Sequence, residues 1–312
     1  MSGGELRVGV VGLGAFGRHH VRHYAASARA HLVGVCDRDG AAVARAVDTY
    51  GCDGFSDPAD LIGRVDAVSV AVPAIHHADV AGPLLDAGIH VLVEKPLAPD
   101  PGTARRLARA ASVSGVVLQV GHIERYSPAI AWLMDTVTVP RRIASVRKSP
   151  WTGRSTDVDV VLDMMIHDID HVLRLAGAPL DSITANSRAV KGAHADEAEA
   201  WLTFANGTIA TISSSRVADT SERTLTVTEG ALQYRVDLGA TTVTIVDRLS
   251  GERSGPLFPP NDNLGDQIAA FVASIRDDAP VMVDAAAGIA AVEIAARIRA
   301  AAEETAHVSE LT

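Results

Sequence analysis

Short apolar runs, almost free of polar interruption, recur along the first part of the chain. They fall at Leu6–Val11, Leu32–Cys36, Ala67–Val72, His90–Val93 and Val116–Val120. Runs of this kind predict strands buried on both faces. Between them, stretches such as Ala41–Tyr50, Ala78–Ala87 and Thr103–Ala111 place apolar residues three and four apart, the period of a helix packed on one side. Strand–helix alternation of this kind implies right-handed crossovers and predicts a parallel, doubly wound α/β sheet.

The pattern changes after about residue 122. A helix near Pro128–Met134, a strand around Ile143–Lys148 and a long helix over Val160–Ala176 come first. β-type segments follow at Glu199–Phe204, Thr208–Ser214, Thr224–Thr228, Leu232–Leu238 and Thr242–Val246. Asn206-Gly207 joins the first two and is a strong hairpin signal. An open, mainly antiparallel sheet is therefore expected. Gly251–Pro260 reads as a loop, and Ala-rich helices near Leu264–Ile275 and Ala285–Ala302 follow it. The expected division is a first domain over 1–122 and an α+β second domain over 123–312, with the boundary near Gly121–Ser127.

Composition narrows the class. The 312 residues suit about two domains. A formal charge of −10 and the lack of a basic run speak against a nucleic-acid partner. Cys36 and Cys52 are too few for a disulfide framework or a Cys-rich zinc module. No apolar run approaches the ~18 residues that span a bilayer, and Met-Ser-Gly-Gly-Glu carries no export signal. A cytoplasmic protein with no membrane partner is expected. Only Lys95, Lys148 and Lys191 are lysines among 28 basic residues, so the place of each bears weight.

Gly12-Leu13-Gly14-Ala15-Phe16-Gly17 is a G-x-G-x-x-G that directly follows the first strand and opens a helix, the context in which it binds a dinucleotide. Gly12 permits the turn, Gly14 lets a diphosphate approach, and Gly17 lets helix and strand pack closely. Asp37, twenty residues after Gly17, is placed to accept from ribose hydroxyls, which favours NAD. Arg38 beside it leaves room for the phosphate of NADP. Further polar residues follow strand ends: Pro73 with His76 and His77, Glu94-Lys95-Pro96, and Gly121-His122. Ligands of open α/β sheets bind outside those ends. A lysine there is partly desolvated, which lowers its pKa.

In the helix Val160–Leu175, a uniform 100° step puts Asp163, His167, Asp170, His171 and Arg174 within an arc of about 100°. Asp168 alone stands apart, at about 140°. This predicts a mostly buried helix whose polar stripe lines a cleft. Asp163 and His167, four apart, stand one above the other, and a carboxylate so placed supports an imidazole as a general base. No third ligand completes a zinc set there, and His19, His20 and His23 read as polarity of the first helix rather than as a metal site.

These residues together resemble the glucose–fructose oxidoreductase/inositol dehydrogenase family. The glycine fingerprint, the segment Ala71-Val-Pro-Ala-Ile-His-His77, Glu94-Lys95-Pro96 and Asp163-Met-Met-Ile-His167 carry the resemblance. It implies a Rossmann domain followed by an α+β domain whose open sheet forms a homo-oligomer interface. It implies NAD contacts from Gly12, Gly14, Ala15, Phe16, Gly17, Asp37, Arg38, Val72, Pro73, His77, Glu94, Lys95 and His122. Lys95, Asp163 and His167 would gather at a sugar hydroxyl, with Lys95 or His167 taking its proton. Within the family, Leu118–Pro128, Asp159–Leu173 and Ser214-Ser215-Arg216 are similar to UDP-N-acetylglucosamine 3-dehydrogenases. That similarity implies a 3-keto product for aminosugar or antibiotic biosynthesis. It adds His122, Arg125, Tyr126, Arg154 and Arg216 as substrate residues, the arginines for a diphosphate. Pairing with a carboxylate is the other reading of Arg216. An aminoglycoside or cyclitol substrate, the reverse reduction, and a non-catalytic sensor are the alternatives.

Overall fold

The computed structural model describes residues 5–153 and 156–310. It comprises two compact units, Met1–Ile123 with Asp262–Ile289, and Glu124–Asn261 with Ala290–Thr312.

In the first unit, β1 (Leu6–Val11), β2 (Ala30–Cys36), β3 (Asp53–Phe55), β4 (Ala67–Val70), β5 (His90–Glu94) and β6 (Leu118–Gly121) form a parallel sheet in the order β3-β2-β1-β4-β5-β6. Four helices connect them: α1 (Gly17–Ala25), α2 (Gly40–Tyr50), α3 (His77–Asp86) and α4 (Pro101–Ser114). The five predicted strands are present. The edge strand β3 escapes the pattern because its three residues carry no apolar run. The order of strands reverses between β1 and β4, and such switch points open a crevice at the carboxyl ends.

The helix Asn263–Arg276 adds Leu264, Ile268, Phe271, Val272 and Ile275 to the core formed by Val8, Val10, Tyr24 and Leu32. A single cut at residue 122 therefore does not describe the chain, since the segment 262–289 returns to the first unit. An amphipathic helix shows in its sequence that it must bury one face, but not against which core.

In the second unit, α5 (Pro128–Thr136) precedes β7 (Arg142–Lys148). Val161–Met165 forms a π turn that leads into α6 (Ile166–Ala176). The remaining strands are β8 (Leu180–Arg188), β9 (Glu197–Phe204), β10 (Ile209–Ser215), β11 (Glu222–Glu229), β12 (Leu232–Asp237), β13 (Thr242–Asp247) and β14 (Arg253–Ser254). Their order is β14-β13-β12-β11-β7-β10-β9-β8, antiparallel except where β10 meets β7. The hairpin β9–β10 turns at Asn206-Gly207, with Gly207 at φ +83°. Two strands were not predicted. β8 buries only Ala185 and shows no alternation, and β14 lies inside the expected loop.

Buried charge ties α6 to the sheet. The Arg147 guanidinium on β7 donates to Asp168 on α6 (Nε–Oδ2 2.8 Å) and to both carboxylate oxygens of Glu124 (2.8 and 2.6 Å). Ser145 donates a further bond to Asp168, and His171 Nε2 lies 3.1 Å from Glu124. Arg125 pairs with Asp170 through two nitrogens. Asp168, the residue that broke the expected stripe, points to the sheet because Arg147 is there. Burial alone would push the Glu124 carboxyl up, but Arg147, His167 and His171 hold it well below its usual range. Its contribution to stability is thus present above the ordinary glutamate pKa and lost only as pH falls far below it. Arg147→Met would strand two buried carboxylates, so we expect a loss of about 3–5 kcal/mol in urea unfolding near neutral pH. Unfolding like that of the unsubstituted protein would show the pairs to be dispensable.

Candidate active site

The glycine turn takes its shape from three different needs. Gly12 has φ +92°, and a Cβ there would lie 2.6 Å from the Ala71 carbonyl oxygen. A Cβ at Gly17 would lie 1.7 Å from the Gly12 oxygen, so helix and strand touch backbone to backbone. A Cβ at Gly14 would meet nothing within 4 Å, which leaves space for a ligand to approach the chain. Helix α1 then begins without a side-chain cap and without an acidic residue in its first turn. Arg18 and His19 donate their N–H groups to the Gly14 and Phe16 oxygens, and the positive dipole end of the helix faces the turn. Ala15 and Phe16 are exposed on the same turn.

A cleft of about 480 Å³ continues from this turn, lined by Gly12, Gly14, Asp37, Arg38, Val72 and Pro73 among others. Asp37 accepts the Leu13 N–H (2.5 Å) and the Asp39 N–H (2.8 Å), so it anchors the turn as well as facing the cleft. Asp57 and Asp79 also line it, and neither stood out in the sequence because single acidic residues in loops carry no pattern. Cys36 lines the wall as a thiol, pushed up to about 12 by burial and by Asp37, Asp57 and Asp60. These features fit a dinucleotide: an open diphosphate cradle, a ribose-facing carboxylate and an apolar wall.

His76 lines the cleft, whereas His77 is buried, with Nδ1 2.8 Å from the Pro96 oxygen and Nε2 3.0 Å from that of Val72. Burial holds its imidazole below the ordinary value. Glu94 is buried, with Oε1 3.1 Å from His20 Nε2. Lys95 is half-buried at a cis peptide bond to Pro96, and His122 is buried.

In the second unit, Asp159 accepts the N–H groups of Val161 and Leu162 (both 3.0 Å) and pairs with Arg299 (2.7 Å), which fixes the start of the π turn. Asp163 in that turn and His167 on α6 are half-buried. The expected polar stripe divides. Asp170 and His171 are buried among the ion pairs, and Arg174 is exposed. The division falls within regular α6, where Asp170 meets Arg125 and His171 meets Glu124, partners that a uniform step does not reveal; the π turn, with more residues per turn, alters only the angle between Asp163 and His167.

The arginines expected at a diphosphate are otherwise engaged. Arg125 pairs with Asp170. Arg216 is buried, donates to Asp196 (2.8 Å) and to the Val158 oxygen (2.9 Å), and stands over the Trp151 ring. Asp196 also accepts the N–H groups of Val190, Lys191 and Gly192, so Arg216 helps to shape that loop. Tyr126 is buried and its main-chain carbonyl oxygen accepts from the Asn261 side-chain amide. Arg154 lies outside the described residues.

Residues 6–122 match the family described as an oxidoreductase family with an NAD-binding Rossmann fold, and 134–233 match the GFO/IDH/MocA C-terminal domain. The chain is 34% identical to UDP-N-acetylglucosamine 3-dehydrogenase of Acidithiobacillus ferrooxidans, covering 96% of this chain and 98% of that one. The solved structure of that enzyme superposes with a TM-score of 0.90 over the same shares. An inositol 2-dehydrogenase of Corynebacterium glutamicum is 33% identical over 57% of this chain and 56% of its own. The WlbA dehydrogenase of Bordetella pertussis, solved with NADH and UDP-GlcNAcA, shares the fold (TM-score 0.83, 20% identity, 97% and 98% covered).

Gly14→Val would project a branched side chain into the open cradle, where a Cβ meets nothing within 4 Å. We expect at least a tenfold weaker Kd for NAD by calorimetric titration, with an unchanged melting temperature. Unaltered affinity would place the dinucleotide elsewhere.

Proposed function

Since the chain belongs to the GFO/IDH/MocA oxidoreductase family, we propose that it oxidises the C-3 hydroxyl of a UDP-linked hexose to a ketone with NAD, in the biosynthesis of an aminosugar. The observation that carries this reading is the end-to-end similarity to a UDP-N-acetylglucosamine 3-dehydrogenase. When bound, NAD supplies the hydride acceptor. The glycine turn at Gly12, Gly14 and Gly17 and the positive dipole end of α1 would hold its diphosphate, and Asp37 the adenosine ribose.

The residues on which we propose that oxidation depends are Lys95 in the first unit and Asp163 with His167 in the second. A secondary hydroxyl must lose its proton as the carbon becomes a carbonyl. A neutral imidazole or amine can take that proton. An ammonium can instead stabilise the charge that builds on oxygen. The Asp163 carboxylate, four residues before His167, favours the imidazolium that proton transfer creates.

The ion pairs of Arg125 and Arg216 support a second reading, a sugar without a diphosphate, such as an aminoglycoside or cyclitol. For assembly we propose a homo-oligomer, formed through the sheet face that presents Trp201 and Ile209, both exposed. Among the described residues no helix is long and apolar enough to cross a membrane.

Reduced-cofactor absorbance is to be followed with UDP-hexoses, free sugars, cyclitols and aminoglycosides, each with a 3-aminotransferase drawing off ketone. We expect turnover with a UDP-hexose. Turnover confined to the other classes would overturn the substrate. Lys95→Ala and His167→Ala should each lower kcat by about 10²–10⁴-fold, and near-normal rates would remove that residue from the chemistry. Trp201→Glu should reduce the molar mass in light scattering to that of one chain. An unchanged mass would acquit this face.

A further inference from the structure

The residues on either side of Lys95 are each held by a buried histidine. Before it, the Glu94 carboxylate meets His20 Nε2 on α1 at 3.1 Å. The same carboxylate lies flat against Gly121, where a Cβ would come within 2.8–2.9 Å of all three of its terminal atoms. After it, the Pro96 oxygen lies 2.8 Å from His77 Nδ1, and the other nitrogen of that ring faces the Val72 oxygen.

His20 is wholly buried, and its Nδ1 has no hydrogen-bond partner among the described residues. An imidazole with one nitrogen unsatisfied is a costly way to fill a core position. What it provides is the bond to Glu94. Burial pushes the Glu94 carboxyl up, but His20, followed by Lys95 and His77, outweighs that and keeps it below its usual value. Because α1 begins at the glycine turn, this bond links the helix that would receive the diphosphate to the strand end that carries Lys95.

We propose that His20 is a positioning residue for Lys95. It holds the Glu94 carboxylate seated on Gly121, and so fixes the place of the adjoining Lys95. His77 braces the turn from the Pro96 side. The proposal rests on the reading of Lys95 as a reacting residue, and its test separates the two.

The chain has only three lysines, so trinitrobenzenesulfonate labelling with peptide mapping reads Lys95 against Lys148 and Lys191 as internal standards. Gln at position 20 can reach Glu94 with an N–H, whereas the shorter Asn cannot. In His20→Asn the Glu94 carboxylate loses the bond that seats it, which loosens the adjoining Lys95 and opens it to reagent. We expect labelling of Lys95 to rise at least threefold and kcat to fall at least tenfold. His20→Gln should restore both. Gly121→Ala, which displaces the carboxylate from the other side, should reproduce the Asn result and covers the case in which His20→Asn does not fold. Lys95 labelling equal to that of the unsubstituted protein in both His20→Asn and Gly121→Ala would overturn the proposal. If Lys95→Ala keeps its turnover, the role of Lys95 fails, while the labelling contrast still judges the positioning.

Discussion

A charge removed from water must find its partner, and most of the geometry around the candidate site follows from that constraint. An unpaired buried ion costs several kcal/mol. Arg147 therefore fixes α6 against β7 through Asp168, and Glu124 joins the same pair to His171 one turn on. Asp163 and His167 belong to the same segment, so these ties also hold the backbone that carries them. In the first unit, His20 and Glu94 play the corresponding part for Lys95.

The same constraint explains what could be read from the sequence. Buried strands announce themselves by unbroken apolar runs, and the dinucleotide turn by glycines whose spacing has a steric cause. The position of Lys95 directly after a strand was legible because a buried apolar run marks that strand's end. The partners of the arginines were not. Arg216 and Asp196 are twenty residues apart, Arg125 and Asp170 forty-five. No local pattern distinguishes an arginine bound for a carboxylate inside from one bound for a phosphate. The π turn was equally hidden, because it arises from packing and from the Asp159 cap rather than from periodicity.

The composition also takes on a physical sense. Arginine outnumbers lysine, and guanidinium groups serve as ties to carboxylates, on the surface to Asp66 and Asp277 and in the interior to Asp170, Glu124 and Asp196. Lysine, a mobile point charge, suits such ties poorly. The net charge of −10 is therefore a poor guide to the local field, since many of the carboxylates are spoken for.

The return of 262–289 to the first unit has a consequence on the ribosome. The helix Asn263–Arg276 supplies Phe271 and its neighbours to the core beneath β1 and β2. At roughly 5–20 residues per second, that helix emerges on the order of ten seconds after β6. Throughout that interval the nascent first unit shows an apolar groove with its filling still unsynthesised, while the second sheet is being made. The protein is thus closed by its tail: the earliest part to be translated is among the last to be finished.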